Sequence, residues 1–337
     1  MWQWRKSSRD EWQSYSDIEN AIIEDSYHQN GKQVELDNNI TIDLMKNIQF
    51  DSNKKKDNKS MEVRRYNDEE ASSSSSITDR KRRSERFCLP PKMISNNKSS
   101  NTSVNVADWN ESKFVFEWQM SCQNLETLSF GDIMHEALKG IYVEGKKIGQ
   151  EHEAQWIIDH YMPITKQSNE KIFQACVRLY TAESFVYRLI NTALRNNDLT
   201  KVDTLGAFCY LLFQFNFAQE FNDLKFSGRV YRGANLTSSI VAEYERNIGN
   251  VCAWLGLTST SRQRKIAESF FDSTVLFIID IDEDSAYSSA RSIANLSMYP
   301  HEDEVLLRSG THFIINKVEQ NSSSTNNIKT LIYLTIE

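Results

Sequence analysis

In the stretch MYPHEDEVLL, residues 298–307, Glu302 and Glu304 stand on either side of Asp303, directly before an apolar run. On a strand, side chains two apart share a face, so this spacing predicts that Glu302 and Glu304 point together and Asp303 away. Two carboxylates on one face repel, a cost that a cation between them would offset; otherwise a charge run at a strand start is simply solvated. Upstream, VYRGANL ends a predicted strand on Arg232 followed by Gly233. A guanidinium grips phosphate oxygens in bidentate fashion, and a glycine lets a ligand approach the backbone. The same arginine could equally serve a surface ion pair. Between these stretches lies Ser259-Thr260-Ser261, a hydroxyl triplet of the kind that ordinarily marks a strand end or a helix N-cap.

The elements that must position these groups follow from periodicity. From about 126 to 223 the chain reads as helical. LYTAESFVYRLINTALRNND places Leu179, Phe185, Leu189, Ile190 and Leu194 roughly along one face, and 203–222 supplies a second apolar helix. From 227 onward the segments GRVYRG, VCAWLGLTS, TVLFIIDI, EVLLRSGTHFIINKVE and KTLIYLTI read as strands. Helices first and strands after predict an α+β fold. Near the N-terminus, SDIENAIIEDSYHQNG reads as one helix, with Ser16 and Glu19 forming a capping box and Gly31 a C-cap. NITIDL alternates like a half-buried strand, and Trp2, Trp4 and Trp12 precede the helix, interleaved with Arg5 and Arg9.

Composition bounds the rest. The 337 residues are 39% hydrophobic and 25% charged, with a net charge of −7, which argues against bulk nucleic-acid binding. No apolar leader stands at the N-terminus, and the apolar stretch 205–218 is too short to span a bilayer, so it is expected to be a buried helix. Five scattered cysteines without CxxC spacing suit a reducing compartment, cytoplasmic or nuclear, and point to neither a disulfide framework nor a metal site. Residues 67–105 carry a serine run, RKRR at 80–83 and Pro90-Pro91, and read as a disordered linker between a domain at 1–66 and one at 106–337. The RKRR run reads as a solvated patch, with a nuclear-import signal as the alternative.

Taken in order, Tyr231-Arg232-Gly233, Ser259-Thr260-Ser261 and Glu302-Asp303-Glu304-Val305-Leu306 resemble the arginine–serine–glutamate class of mono-ADP-ribosyltransferases over about 106–337. The resemblance implies two packed β-sheets behind a helical lead-in, and NAD as substrate with no metal. It implies that Arg232 holds the NAD phosphate and that the Gly233 backbone reads the nicotinamide amide. Ser259 would orient Glu304, and Glu304 would stabilise the oxocarbenium-like transition state. Glu302 would position and help deprotonate an incoming protein arginine. Phe270, or alternatively Phe271, would stack on nicotinamide. Residues 292–301 would form the acceptor-recognition turn with Tyr299 as its aromatic, and His301 has no assigned role. The chemistry agrees, because a cation developing at an anomeric carbon calls for a fixed anion.

Residues 1–66 resemble a WWE domain, a half-barrel packed on one helix, with Trp2 or Trp4, Trp12 and Glu24 as its namesake positions. That resemblance implies binding of ADP-ribose or poly-ADP-ribose, with Trp4, Arg9, Trp12, Gln49 and Arg64 as candidate contacts. Ile40 stands where binding members carry a tyrosine, which implies weak affinity. No membrane partner is expected. An NAD glycohydrolase and a non-catalytic ADP-ribose reader are the alternative functions.

Overall fold

The computed structural model of the protein describes residues 1–53, 60–66, 93–95, 112–269, 273–283, 290–320 and 327–336. Most of the segment expected to be a linker, with RKRR, lies outside them, as do Phe270 and Phe271.

The N-terminal domain is one antiparallel sheet wrapped on a helix. Its strands are β1 (Trp2–Arg5), β2 (Gln13–Ser14), β3 (Gln33–Leu36), β4 (Ile40–Asp43), β5 (Ile48–Asp51) and β6 (Met61–Arg65), in the order β2-β1-β6-β5-β4-β3. Helix α1 (Asp17–His28) starts on the predicted capping box: Ser16 Oγ accepts from the Glu19 amide at 3.2 Å, and the Glu19 carboxylate accepts from the Ser16 amide at 2.8 Å. The helix stops before Gly31, because Asn30 already takes the left-handed conformation at φ 57°. Trp2, Ile23, Ile42 and Val63 form the core between sheet and helix. Trp2 is thus a core tryptophan, and its indole donates to Glu24 at 2.7 Å.

The C-terminal domain opens with helices α2 (Lys113–Ser121), α3 (Phe130–Lys147), α4 (Glu151–Tyr161), α5 (Asn169–Thr181), α6 (Phe185–Asn196) and α7 (Val202–Phe215). The helix predicted across 179–198 is two. Ala182 is extended, and Ser184 accepts from the Val186 amide as a new N-cap, which puts Leu179 on a different helix from Leu189, Ile190 and Leu194. The apolar stretch after 202 is buried on nearly every side as α7, as its composition predicted. It crosses α3 so closely that a Cβ on Gly140 would overlap the Thr204 carbonyl oxygen.

The strands that follow are β8 (Gly228–Ala234), β9 (Val251–Trp254), β10 (Thr258–Ser261), β11 (Val275–Ile281), β12 (Ala290–Ser292), β13 (Glu304–Leu307), β14 (Thr311–Gln320) and β15 (Thr330–Ile336), with short helices α8 (Ser238–Arg246) and α9 (Arg264–Ser269) between them. With β7 (Met93–Ser95) they form one order, β12-β13-β10-β8-β11-β15-β14-β9-β7. Residues from both ends of that order, Val305 and Leu307 on one side and Cys252 and Trp254 on the other, meet in a single apolar cluster with Val230, Phe277 and Leu334. The ladder is therefore curled on itself, and the two packed layers are its two halves.

Three strand expectations change in detail. VCAWLGLTS is broken at 255–257 into β9 and β10, which lie far apart in the order. EVLLRSGTHFIINKVE is broken at 308–310, where Gly310 turns with φ 79°. Met93–Ser95, inside the expected linker, pairs antiparallel with β9, because β9 offers a free edge of backbone donors and acceptors there.

The two domains touch through α1 and α4. The Asp37 carboxylate accepts from the His152 and Glu153 amides at 2.9 and 3.0 Å, and the Trp156 indole donates to Asp25 at 2.7 Å. Ile18 is buried in the apolar cluster of the C-terminal domain's helices. No helix among the described residues is long and apolar enough to cross a membrane.

Candidate active site

The pairing of β13 with β10 brings the second carboxylate to the hydroxyl triplet. Ser261 lies directly opposite Glu304, and Ser259 opposite Leu306, so Ser259, Ser261 and Glu304 share one face. Ser259 is thus diagonal to Glu304, and Ser261 is its direct neighbour. Strand β8 follows on the other side, with Tyr231 opposite Ser261. From β8 the guanidinium of Arg232, 3% exposed, donates to the backbone carbonyl of Ser259 at 2.7 Å. Ser259 Oγ is fully buried and makes no hydrogen bond among the described residues.

Glu302 does not sit on the strand. Pro300 opens a 3-10 turn, Pro300–Glu302, and Asp303 then takes the left-handed conformation at φ 50°, so the strand begins only at Glu304. The parity of side chains along a strand, from which the two acids were expected to point together, therefore does not apply to Glu302. Both acids are nonetheless withdrawn from water, Glu302 to 3% and Glu304 to 0% exposure. Asp303, which joins them, is held by Arg262, whose Nε donates to its carboxylate at 2.7 Å and whose amide donates to its carbonyl at 3.1 Å. Ser261 Oγ donates to the Glu302 carbonyl at 2.7 Å. The third hydroxyl of the triplet thus fixes the backbone of the first acid. Sequence reading gave Ser261 no role, and the only signal for one was its place in the triplet.

Gly233 has a packing reason to lack a side chain. A Cβ there would lie 2.4 Å from the Ala267 carbonyl oxygen and 2.5 Å from Ser273 Oγ. The room that sequence reading gave to a ligand is, on this side of the backbone, filled by protein.

The turn ahead of the acids is anchored at several points. The Ile293 amide donates to the Glu304 carbonyl at 2.9 Å, the Met298 amide to Thr181 Oγ1 at 3.1 Å, and the Glu302 amide to the Tyr299 carbonyl at 3.1 Å. His301 is exposed, with its ring edge-on to Tyr299.

In the N-terminal domain the candidate contacts separate. Two guanidiniums stand over the Trp12 ring, Arg5 at 4.4 Å and Arg64 at 4.2 Å from its centre, and Arg64 also donates to Gln3 at 2.7 Å. Gln49 is buried and accepts from the Tyr15 hydroxyl at 2.5 Å. Burial pushes the Tyr15 hydroxyl well above its ordinary range, so it stays a donor. Trp4 packs against the core and Arg9 is exposed in a loop. Arg65 beside Glu24 holds that carboxyl down at about 2, which keeps the acceptor of Trp2 ionised. A cavity of about 490 Å³ lies between the domains, away from the triplet and acids, against Glu19, Glu153, Glu183 and Arg188.

These features have counterparts among known proteins. Residues 117–331 match the family NAD:arginine ADP-ribosyltransferase, and residues 1–65 match the WWE domain. The chain belongs to the NAD:arginine ADP-ribosyltransferase family and carries an N-terminal WWE domain. It is 27% identical over 164 residues to Mav of Mycobacterium avium (strain 104), to which its name provisionally ascribes NAD(+)–arginine ADP-ribosyltransferase activity. That match takes in 47% of this chain and 17% of the length of Mav. Among solved structures, the type III effector XopAI from Xanthomonas axonopodis pv. citri is 16% identical with a TM-score of 0.49, covering 69% of this chain and 100% of that one. The ADP-ribosyltransferase HopU1 of Pseudomonas syringae pv. Tomato DC3000 is 16% identical with a TM-score of 0.42, covering 78% and 98%.

Proposed function

We propose that the chain transfers ADP-ribose from NAD to arginine side chains of acceptor proteins and releases nicotinamide. The observation that carries this reading is the buried pair Glu302 and Glu304, locked to the hydroxyl triplet by Ser261 and by the β13–β10 ladder. The bond to nicotinamide breaks at the ribose anomeric carbon, and the electron pair leaves with nicotinamide. Glu304 faces the cation that develops there, and a carboxylate shielded from water stabilises it far more than an exposed one would. An arginine guanidinium nitrogen then bonds to that carbon and loses a proton to Glu302. Arg232, held by Ser259, lends the positive charge that a dinucleotide phosphate requires. Ser259 orients Glu304 across the diagonal, Phe270 or Phe271 stacks on nicotinamide, and the turn ending at Tyr299 admits the acceptor. The domain limits 1–66, 67–105 and 106–337 are proposed on the same footing.

Water can replace the arginine, which makes the chain an NAD glycohydrolase when no acceptor is bound. Mass analysis of products from NAD with agmatine, a small guanidine, separates the two. Glu302→Gln is expected to suppress the agmatine adduct far more than nicotinamide release. Parallel loss of both would remove Glu302 from the acceptor's side.

The WWE domain reads ADP-ribose groups on partners. Trp12 with Arg5 and Arg64 close to its ring supports this, since an aromatic side chain beside guanidiniums suits a base and a phosphate. With Ile40 as it is, affinity is expected on the order of micromolar or poorer. Calorimetry with ADP-ribose tests it, and no heat at millimolar ligand would leave a protein-binding module.

A further inference from the structure

The first turn of the WWE helix reaches the acceptor turn of the other domain. Asp17 is the first residue of α1, and its Oδ2 accepts from the Tyr299 hydroxyl at 2.6 Å. The same oxygen accepts from the Glu183 amide at 2.7 Å, and the Asp17 amide donates back to the Glu183 carbonyl at 3.2 Å. The carboxylate is thus clamped to the junction between α5 and α6, and Ile18 beside it is buried among the catalytic helices. That junction holds the turn as well, because Thr181 accepts from the Met298 amide at 3.1 Å.

We propose that Asp17 is a positioning residue for the acceptor: through Tyr299 it sets the place of Glu302, so a residue of the WWE domain tunes arginine transfer by its neighbour. The inference rests on the reading of 292–301 as the acceptor turn and of Glu302 as the acceptor's acid. The route is short. The Tyr299 hydroxyl is fixed by Asp17, the Tyr299 carbonyl accepts from the Glu302 amide at 3.1 Å, and the Glu302 carbonyl is fixed by Ser261. A phenol donating to a carboxylate is a charge-assisted bond, stronger than a neutral one. Without it the Tyr299 side chain loses this anchor, and the 3-10 turn that carries Glu302 is held less firmly on its N-terminal side. Glu304 lies beyond this route, held by the β13–β10 ladder, so breaking NAD does not depend on Asp17. Docking of the WWE domain and choice of acceptor are thereby linked.

The test uses the full chain and Asp17→Ala, with Asp17→Asn as a milder variant that keeps a carbonyl acceptor should the alanine variant fail to fold. Transfer to agmatine and nicotinamide release without acceptor are measured side by side. Asp17→Ala is expected to raise the KM for agmatine about tenfold, the scale of one lost charge-assisted bond, with release in water unchanged within about twofold. Asp17→Asn should fall between it and the native chain. In a Tyr299→Phe background, Asp17→Ala should add nothing further to the KM, because the bond is already gone. Equal agmatine kinetics in native and Asp17→Ala chains would overturn the inference while leaving arginine transfer intact. A parallel fall of transfer and release would overturn it too, since that marks a purely structural role. A native chain that releases nicotinamide but forms no agmatine adduct would instead remove the reading of the site, and this inference with it.

Discussion

Replacing Asp37 by alanine removes a helix cap that one domain supplies to the other. Helix α4 starts at Glu151 after Gln150, which makes no side-chain cap bond. Its His152 and Glu153 amides instead donate to the Asp37 carboxylate at 2.9 and 3.0 Å, with the His152 ring nitrogen at 3.2 Å. Loss of an N-cap acceptor typically costs about 1 kcal/mol, and loss of a negative charge at a helix N-terminus another 0.3–1 kcal/mol or so. The carboxylate is nearly buried, so the two should sum to on the order of 2 kcal/mol. For a domain of this size that corresponds to a fall in Tm of roughly 5 °C. The pH matters. Asp37 also raises the pKa of Glu153, so its removal relieves an adverse interaction wherever Glu153 is ionised. At pH 6 Glu153 is protonated, so relief of that adverse interaction does not offset the loss. Calorimetric scans of native and Asp37→Ala chains at pH 6 check the figure. A fall below about 1 °C would refute the claim that Asp37 caps α4 and joins the domains.

Gly233→Ala places a methyl group against the Ala267 carbonyl, a backbone atom that cannot swing away, and should destabilise the chain by about 2 kcal/mol in urea unfolding. Glu153 should give stability a pH slope. Burial first, then Glu19, pushes its carboxyl from 4.5 up to about 8, so the folded chain holds a proton that the unfolded chain releases. Stability should therefore fall as pH rises from about 4.5 to 8 and level off above, by a few kcal/mol in all, and Glu153→Gln should flatten that slope in unfolding curves taken across the range.

The sequence carried the local features and missed those that depend on pairing. The capping box at Ser16 and Glu19 and the buried helix after 202 are fixed by neighbours a few residues apart, and both were legible. The split at Ser184 was not, because Leu179 and Ile190, eleven residues apart, keep a helical spacing across the break. Register lies beyond local reading altogether. Nothing in the triplet says that Ser261, rather than Ser259, will face Glu304, since that is decided by where β13 lands on β10. The geometry of Glu302 was hidden for a different reason. Pro300 permits a turn, but the left-handed Asp303 that ends it is stabilised by Arg262, forty-one positions away in the chain. The contact between Asp17 and Tyr299 spans 282 positions and belongs to domain docking, which leaves no periodic trace.

The central claim is that Glu304 faces the cation formed as nicotinamide leaves. Glu304→Gln keeps the shape and removes the charge, and its effect is read as nicotinamide released from NAD by the full chain, with thermal unfolding as a check on the fold. The account predicts a loss on the order of 10²–10³ in rate at an unchanged Tm. Nicotinamide release within about tenfold of the native rate, from a folded Glu304→Gln chain, would contradict it.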